Sequence, residues 1–388
     1  MSRHTSRVNA FRFLVRCLAP SRRSPPPDSL APENRKLADE VATGRVRWET
    51  VVEIASEYWM TLVLYRELRE KRLVDSLPAH DRDELVEYFQ KIHEANGARN
   101  RGILEHAEEL VRMLNGIGVE PLLLKGVAHL ASGLYPDPAL RFMNDIDLLV
   151  PDDRALECWR LLTAAGYATR PEYRDKRVEC VPQDWPPVEH PDRRGEVEIH
   201  RRTEWDHLLA SPSLYLDARP LQLGGGKAWI LNPTSSLIFT LGHSYVHDVL
   251  GLRADTPFRD LYDATLLARR FDREIEWPRV RETFGRAGEA ESLRIAGMMW
   301  RRLFSLNPPI DPPQRGWIYW QRCLLKIGSP RWGPVGDHLT QNVRALGVAF
   351  SGTPEGKRMR KELATPSVFL RKLRSAAQLY GGGHGPSR

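Results

Sequence analysis

Three short segments constrain this 388-residue chain more than the rest of it does. They are Leu122-Leu-Leu-Lys-Gly126, Arg141-Phe-Met-Asn-Asp-Ile-Asp-Leu-Leu-Val150 and Val197-Glu-Ile-His200. Each has the apolar density of a buried strand, and two of them place carboxylates in alternation with aliphatic residues. Alternate side chains of a strand share a face. Asp145 and Asp147 therefore point one way, and Ile146 the other. Glu198 and His200 share a face of their own strand. The run Leu148-Leu-Val150 carries the acidic strand into a core rather than along a surface.

Two adjacent carboxylates repel unless a cation lies between them. Magnesium is bound by one or two carboxylates together with substrate phosphates. Two such ions stabilise the attacking and leaving oxygens of an in-line displacement. Asp145 and Asp147, with Glu198 if its strand lies alongside, form a candidate two-magnesium site. Gly126 stands where a buried strand gives way to a helix. The free N–H groups of a helix start favour phosphate, and glycine permits close approach. Lys125 adds a point charge there. An isolated D-x-D also fits an ordinary surface strand, and Lys-Gly also fits a plain β-to-α turn.

The remainder reads mainly as helix. Residues 1 to 32 end in Ser24-Pro-Pro-Pro-Asp28 and read as a disordered basic arm; the segment lacks the clean apolar core and cleavage site of a secretory signal. Val51, Ile54, Ala55, Tyr58, Trp59, Leu62 and Tyr65 recur at helical spacing and predict one helix. A second starts after Pro78 and is weakened at Asn96-Gly97; helical spacing continues to Leu114. Pro151-Asp-Asp153 opens another, closed by Gly166, and Glu172 to Arg194 reads as a loop or irregular hairpin. Gly224-Gly-Gly226 marks a hairpin turn. Asn232-Pro233 starts a helix through Leu250, and further helices are expected over 259–271, 277–288, 290–304, 313–326 and 366–380, before a disordered tail from 381 to 388. The expected architecture is α+β: a helical region over 33–116, a small mixed-sheet core over 117–232 and a helical C-terminal domain over 233–380.

Lys125-Gly126, Arg141, Asn144-Asp-Ile-Asp-Leu-Leu-Val150 and Val197-Glu-Ile-His200 resemble the bacterial uncharacterised nucleotidyltransferase family of the DNA polymerase beta-like superfamily. Leu241-Gly-His243, Arg259-Asp-Leu-Tyr-Asp263 and Ile275-Glu-Trp277 are similar to that family's helical half. The resemblance spans roughly residues 100 to 290. It implies a nucleotidyltransferase fold and names Asp145, Asp147 and Glu198 as metal ligands. It further implies transfer of a nucleoside monophosphate from a nucleoside triphosphate, most simply ATP, to a hydroxyl or phosphate of a small-molecule, peptide or saccharide acceptor. One departure stands out. The superfamily's phosphate turn is Gly-Ser, whereas Val127 follows Gly126 here.

Arg141 is a candidate phosphate contact, or else neutralises the acidic cluster. His200 is placed either to orient the acceptor or to hydrogen-bond Glu198. His243 and His247 lie one helical turn apart but lack a third ligand, so a packed role is expected. Asp260 and Asp263 read as surface or interdomain residues. The net charge of +7 and the basic amphipathic stretch from Lys357 to Arg374 leave open a nucleic-acid-binding reading. A catalytically silent nucleotide-binding module is the other alternative. Four scattered cysteines read as free thiols, and no apolar run is long enough to span a membrane, so a cytoplasmic location is expected.

Overall fold

A computed structural model describes residues 3–19, 32–169, 185–203, 206–246, 257–314 and 316–329. Its elements run, in chain order, α1 (Arg3–Leu18), α2 (Pro32–Ala42), α3 (Trp48–Glu57), α4 (Thr61–Glu70), α5 (Ala79–Gly116), β1 (Leu122–Leu123), α6 (Lys125–Ala131), β2 (Asp145–Leu149), α7 (Ala155–Ala164), β3 (Ala168–Thr169), β4 (Val188–Glu189) and β5 (Glu196–His200). They continue with α8 (Ser211–Leu216), β6 (Ala218–Leu223), β7 (Gly226–Leu231), α9 (Pro233–Tyr245), α10 (Phe258–Arg270), α11 (Trp277–Arg286), α12 (Ala290–Phe304) and α13 (Gly316–Gly328). Met1–His247 together with Thr256–Gly316 forms one compact unit. Asp248–Asp255 and Trp317–Arg388 form a second, whose described part is helix α13 beyond Gly316. The division thus falls within the expected C-terminal helical domain, because α9 to α12 pack in the same unit as the sheet.

The seven strands form one mixed sheet in the order β3-β4-β5-β2-β1-β7-β6. The two acidic strands are neighbours: β2 runs parallel to β5, with Asp145 opposite Glu196, Asp147 opposite Glu198 and Leu149 opposite His200. On its other side β2 pairs antiparallel with β1, which is only two residues long. Ile146, Leu148, Val197 and Ile199 are fully or almost fully buried. Gly224 and Gly225, both at positive φ (55° and 80°), join β6 to β7 as the sequence indicates, in the two-residue geometry that matches strand twist.

Four expectations change. Arg3–Leu18 is a helix and not part of a disordered arm. Phe11, Leu14, Cys17 and Leu18 bury a helical stripe, and Arg7 pairs with Glu53 and Glu57 of α3. Residues 20–31 lie outside the described set, as do the expected helix over 366–380, the basic stretch 357–374 and the tail. The single helix expected through Tyr65 is two, α3 and α4. Trp59 takes a left-handed φ of 61° between them, so each helix turns its own stripe inward. Conversely, α5 runs unbroken for 38 residues through Asn96-Gly97. The Asn96 side chain donates outward to the carbonyls of Ala139 and Arg141 instead of competing with the helix backbone. A Cβ on Gly97 would lie 3.4 Å from the Ala139 Cβ, so glycine admits the chain that leads into β2. Finally, Asp263, expected at a surface or interdomain position, is not on the surface: it is buried within α10, 1% exposed.

Candidate active site

Strand pairing brings Asp147 and Glu198 side by side. Parallel neighbours lie about 4.8 Å apart, and equivalent positions project from the same face. Ligand atoms of Asp147, Glu198 and His200 all fall within 4.8 Å of one another. Asp145 starts the strand on the same face, half-buried. Strand pairing thus brings Asp147, Glu198 and His200 together, with Asp145 at the start of the Asp147 strand and outside that cluster.

Asp147 is fully buried, and its two oxygens are treated unequally. Oδ1 accepts from Lys125 Nζ at 2.7 Å and from His200 Nε2 at 2.8 Å. Oδ2 is equally buried and has no hydrogen-bond partner. Burial would raise the Asp147 pKa, but the Lys125 charge and the His200 hydrogen bond outweigh it and hold the carboxyl well below its usual range. Burial likewise opposes the Lys125 charge, and Asp147 overcomes it, so the ammonium is held well above its ordinary value. Glu198 goes the other way. Burial first, and then the neighbouring Asp147 charge, push its carboxyl up to about 7. His200 Nε2 lies 3.4 Å from Glu198 Oε2, between the two acids.

A buried carboxylate oxygen without a donor is costly, on the order of 1–3 kcal/mol. A divalent cation removes that cost and draws the proton affinity of Glu198 down. Hard oxygen donors at the level of Asp147 and Glu198, with Asp145 one step along the strand, suit such an ion. His200 already donates to Asp147, which places it as the group that orients this carboxylate.

Lys125 is the first residue of α6 and sits at φ 49°, an unusual backbone state for a lysine. The Leu124 N–H donates to the Asp147 carbonyl and anchors the turn to β2, and the turn's sharp reversal aims the Lys125 Nζ at the carboxylate. Gly126 follows immediately. Val127 is wholly buried, so the position that differs from Gly-Ser belongs to the core. A small cavity opens beside Lys125, lined in part by His129, Ser132, Arg219, Ser236 and Thr240.

Arg141 is placed differently from the other sequence candidates. It is 4% exposed and forks onto Asp263 of α10, Nε to Oδ1 at 3.1 Å and Nη2 to Oδ2 at 2.8 Å. Tyr135 donates its hydroxyl to the same carboxylate. His129 Nε2 is 3.8 Å from Asp263, and burial pushes its pKa down to about 4. The remaining Arg141 nitrogen backs onto Gly126: a Cβ there would lie 2.3 Å from Nη1 and 3.1 Å from Cζ. Arg141 thus supports the turn from behind, fixed by Asp263. Because it cannot swing away, Gly126→Ala is expected to destabilise the fold by about 1–3 kcal/mol despite alanine's better helix propensity, read from the thermal midpoint.

Sequence reasoning named Arg141 and Asp263 but missed their pairing and the buried Tyr135 and His129 around it. The available signal was an acid in the middle of the buried run Leu261 to Thr265, since a carboxylate placed so requires a buried partner. His243 contacts Asp260 at 3.2 Å, beside a Ser244 hydroxyl that donates to the same carboxylate. His247 lies outside the described residues.

A search of curated proteins gave no match. Among solved structures, an antigenic nucleotidyltransferase-like protein from Paracoccidioides brasiliensis is similar at 13% identity, over 48% of this chain and 86% of that one, with a TM-score of 0.32. The family model described as "Uncharacterised nucleotidyltransferase" matches residues 44–305. That span is more than half of the chain and holds every residue of the carboxylate site, its lysine turn and the Arg141–Asp263 pair. The chain belongs to the uncharacterised nucleotidyltransferase family.

Proposed function

We propose that this protein is a Mg²⁺-dependent nucleotidyltransferase that moves a nucleoside monophosphate from a nucleoside triphosphate, most simply ATP, to an acceptor hydroxyl or phosphate. The observation that carries this reading is the asymmetry of Asp147: one oxygen is held by two donors, and the other is buried and without one. Asp145, Asp147 and Glu198 would hold two ions. When bound, these ions supply charge stabilisation at the attacking and leaving oxygens.

The chain's own residues do the rest. His200 fixes the Asp147 carboxylate in one orientation. Lys125 and Gly126 face the triphosphate, with the Lys125 ammonium standing in for the hydroxyl that Val127 cannot offer. The acceptor oxygen bonds to the α-phosphorus as the bond to the β-phosphate oxygen breaks, and pyrophosphate leaves. Glu198 is the group placed to take the acceptor's proton. No described helix is long and apolar enough to cross a membrane.

Isothermal titration with ATP tests this reading. Binding is expected with Mg²⁺, weak or absent without it, and lost when Asp145→Asn and Asp147→Asn are combined. Equal binding with and without Mg²⁺, or its survival in the double variant, would sink the proposal.

A further inference from the structure

Next to the carboxylates is a pair of arginines that the scheme above does not use. Arg99 projects from α5 and donates to the Met143 carbonyl, two residues before Asp145. Arg194 comes from the turn that enters β5. Its stem crosses α5 over Gly102, where a Cβ would lie 3.1 Å from the Arg194 Cγ. Gly102 is three residues beyond Arg99, so the same helix face carries both contacts. Gly195, at φ 89°, then seats the chain against Asn144 and Ile103, and Glu196 N–H bonds the Asn144 carbonyl. The Arg99 guanidinium and the Arg194 stem thus lie beside the residues that open β2.

Neither guanidinium is ion-paired among the described residues, while the adjacent Arg193 forks onto Glu109. Burial and the Arg194 charge both pull the Arg99 pKa down, and Asp145 opposes them. Arg99 is half-buried and Arg194 exposed, and two like charges at one helix face favour an anion beside them.

Their side of the site matters. β2 lies between β1 and β5 in the sheet. Lys125–Gly126 follows β1, and Arg194 precedes β5. In an in-line displacement the entering and leaving groups lie on opposite sides of the phosphorus. If pyrophosphate leaves toward Lys125–Gly126, the acceptor enters from the β5 side, past Glu198 and the arginine pair. We propose that Arg99 and Arg194 form a subsite for an anionic group on the acceptor, which makes the acceptor a hydroxyl compound that also carries a phosphate or carboxylate. This inference rests on the nucleotidyl-transfer reading.

The test uses full-length protein saturated with Mg²⁺ and α,β-methylene-ATP, titrated calorimetrically with glycerol 3-phosphate, glycerate and glycerol. At least one of the two anions is expected to bind, and glycerol is not; which anion binds distinguishes phosphate from carboxylate. Arg99→Gln and Arg194→Gln are each expected to weaken that binding about tenfold, the loss of one charged hydrogen bond. Arg99→Lys is expected to recover part of it. Nucleotide affinity should stay as in the wild type in both variants; the thermal midpoint should stay so in Arg194→Gln and fall slightly in Arg99→Gln, which gives up the Met143 carbonyl. The inference is overturned if the nucleotide-loaded protein binds neither anion, if the glutamine variants bind the anion as well as the wild type, or if they lose nucleotide instead, which would assign the arginines to the triphosphate. A wild type that fails to bind nucleotide at all would remove the function proposed above, and the subsite with it.

Discussion

Asp147→Asn is expected to lower Mg²⁺-dependent nucleotidyl transfer by about 10³-fold or more, the effect of losing several kcal/mol of charge stabilisation. Asparagine keeps the shape and can still accept from Lys125 and His200 through its oxygen. It also places an amide nitrogen, a donor, where the bare Oδ2 now stands. A divalent ion then meets a positive edge in place of a lone pair. Single-turnover transfer measured against Mg²⁺ concentration checks this. A variant whose rate recovers fully at high Mg²⁺ would show that Asp147 contributes affinity only, and unchanged activity would remove it from the site. Glu198→Gln should be milder in metal binding, because Glu198 is half-buried and carries less of the anchoring network.

The second large effect is on stability. Asp263→Ala leaves Arg141 buried with its fork unanswered, and breaking such a pair costs about 3–5 kcal/mol. It also strands the Tyr135 hydroxyl, which donates to the same carboxylate. A marked drop in thermal midpoint is expected, with nucleotide binding lost in parallel because Arg141 backs the turn at Gly126. Combining Arg141→Met with Asp263→Leu should recover much of the stability, since well-packed apolar substitutes for buried pairs are often neutral or better. Denaturation of the single and double variants checks both statements. Equal loss in the double variant would mean that the pair's hydrogen bonds to Tyr135, rather than its charges, hold this region.

What was readable in advance follows from how local each cause is. Strand alternation fixed the common face of Asp145 and Asp147, and needed only five residues of sequence. The pairing of β2 with β5 was an inference from order: Asp147 and Glu198 are 51 positions apart, and part of the connection between them lies outside the described residues. Arg141 and Asp263 are separated by 122 positions, and nothing in either neighbourhood announces the other. The N-terminal helix was hidden for a different reason. Its arginines and serine drew attention to charge, while Phe11, Leu14 and Leu18 at helical spacing were the stronger signal. Asn96-Gly97 misled because both residues usually end helices. Here one reaches out to another segment and the other makes room for it.

The stretch from Pro138 to Asn144 has most of its backbone oxygens claimed by α5: Asn100 takes those of Pro138 and Arg141, Asn96 those of Ala139 and Arg141, and Arg99 that of Met143. Its start is pinned through Arg141 to Asp263, and its end enters a register where one residue reverses the face. Its length is therefore metrically locked. Deleting or inserting a single residue there would turn Ile146 or Leu148 toward the site and bury the carboxylates in the core, so length variation has to be absorbed elsewhere.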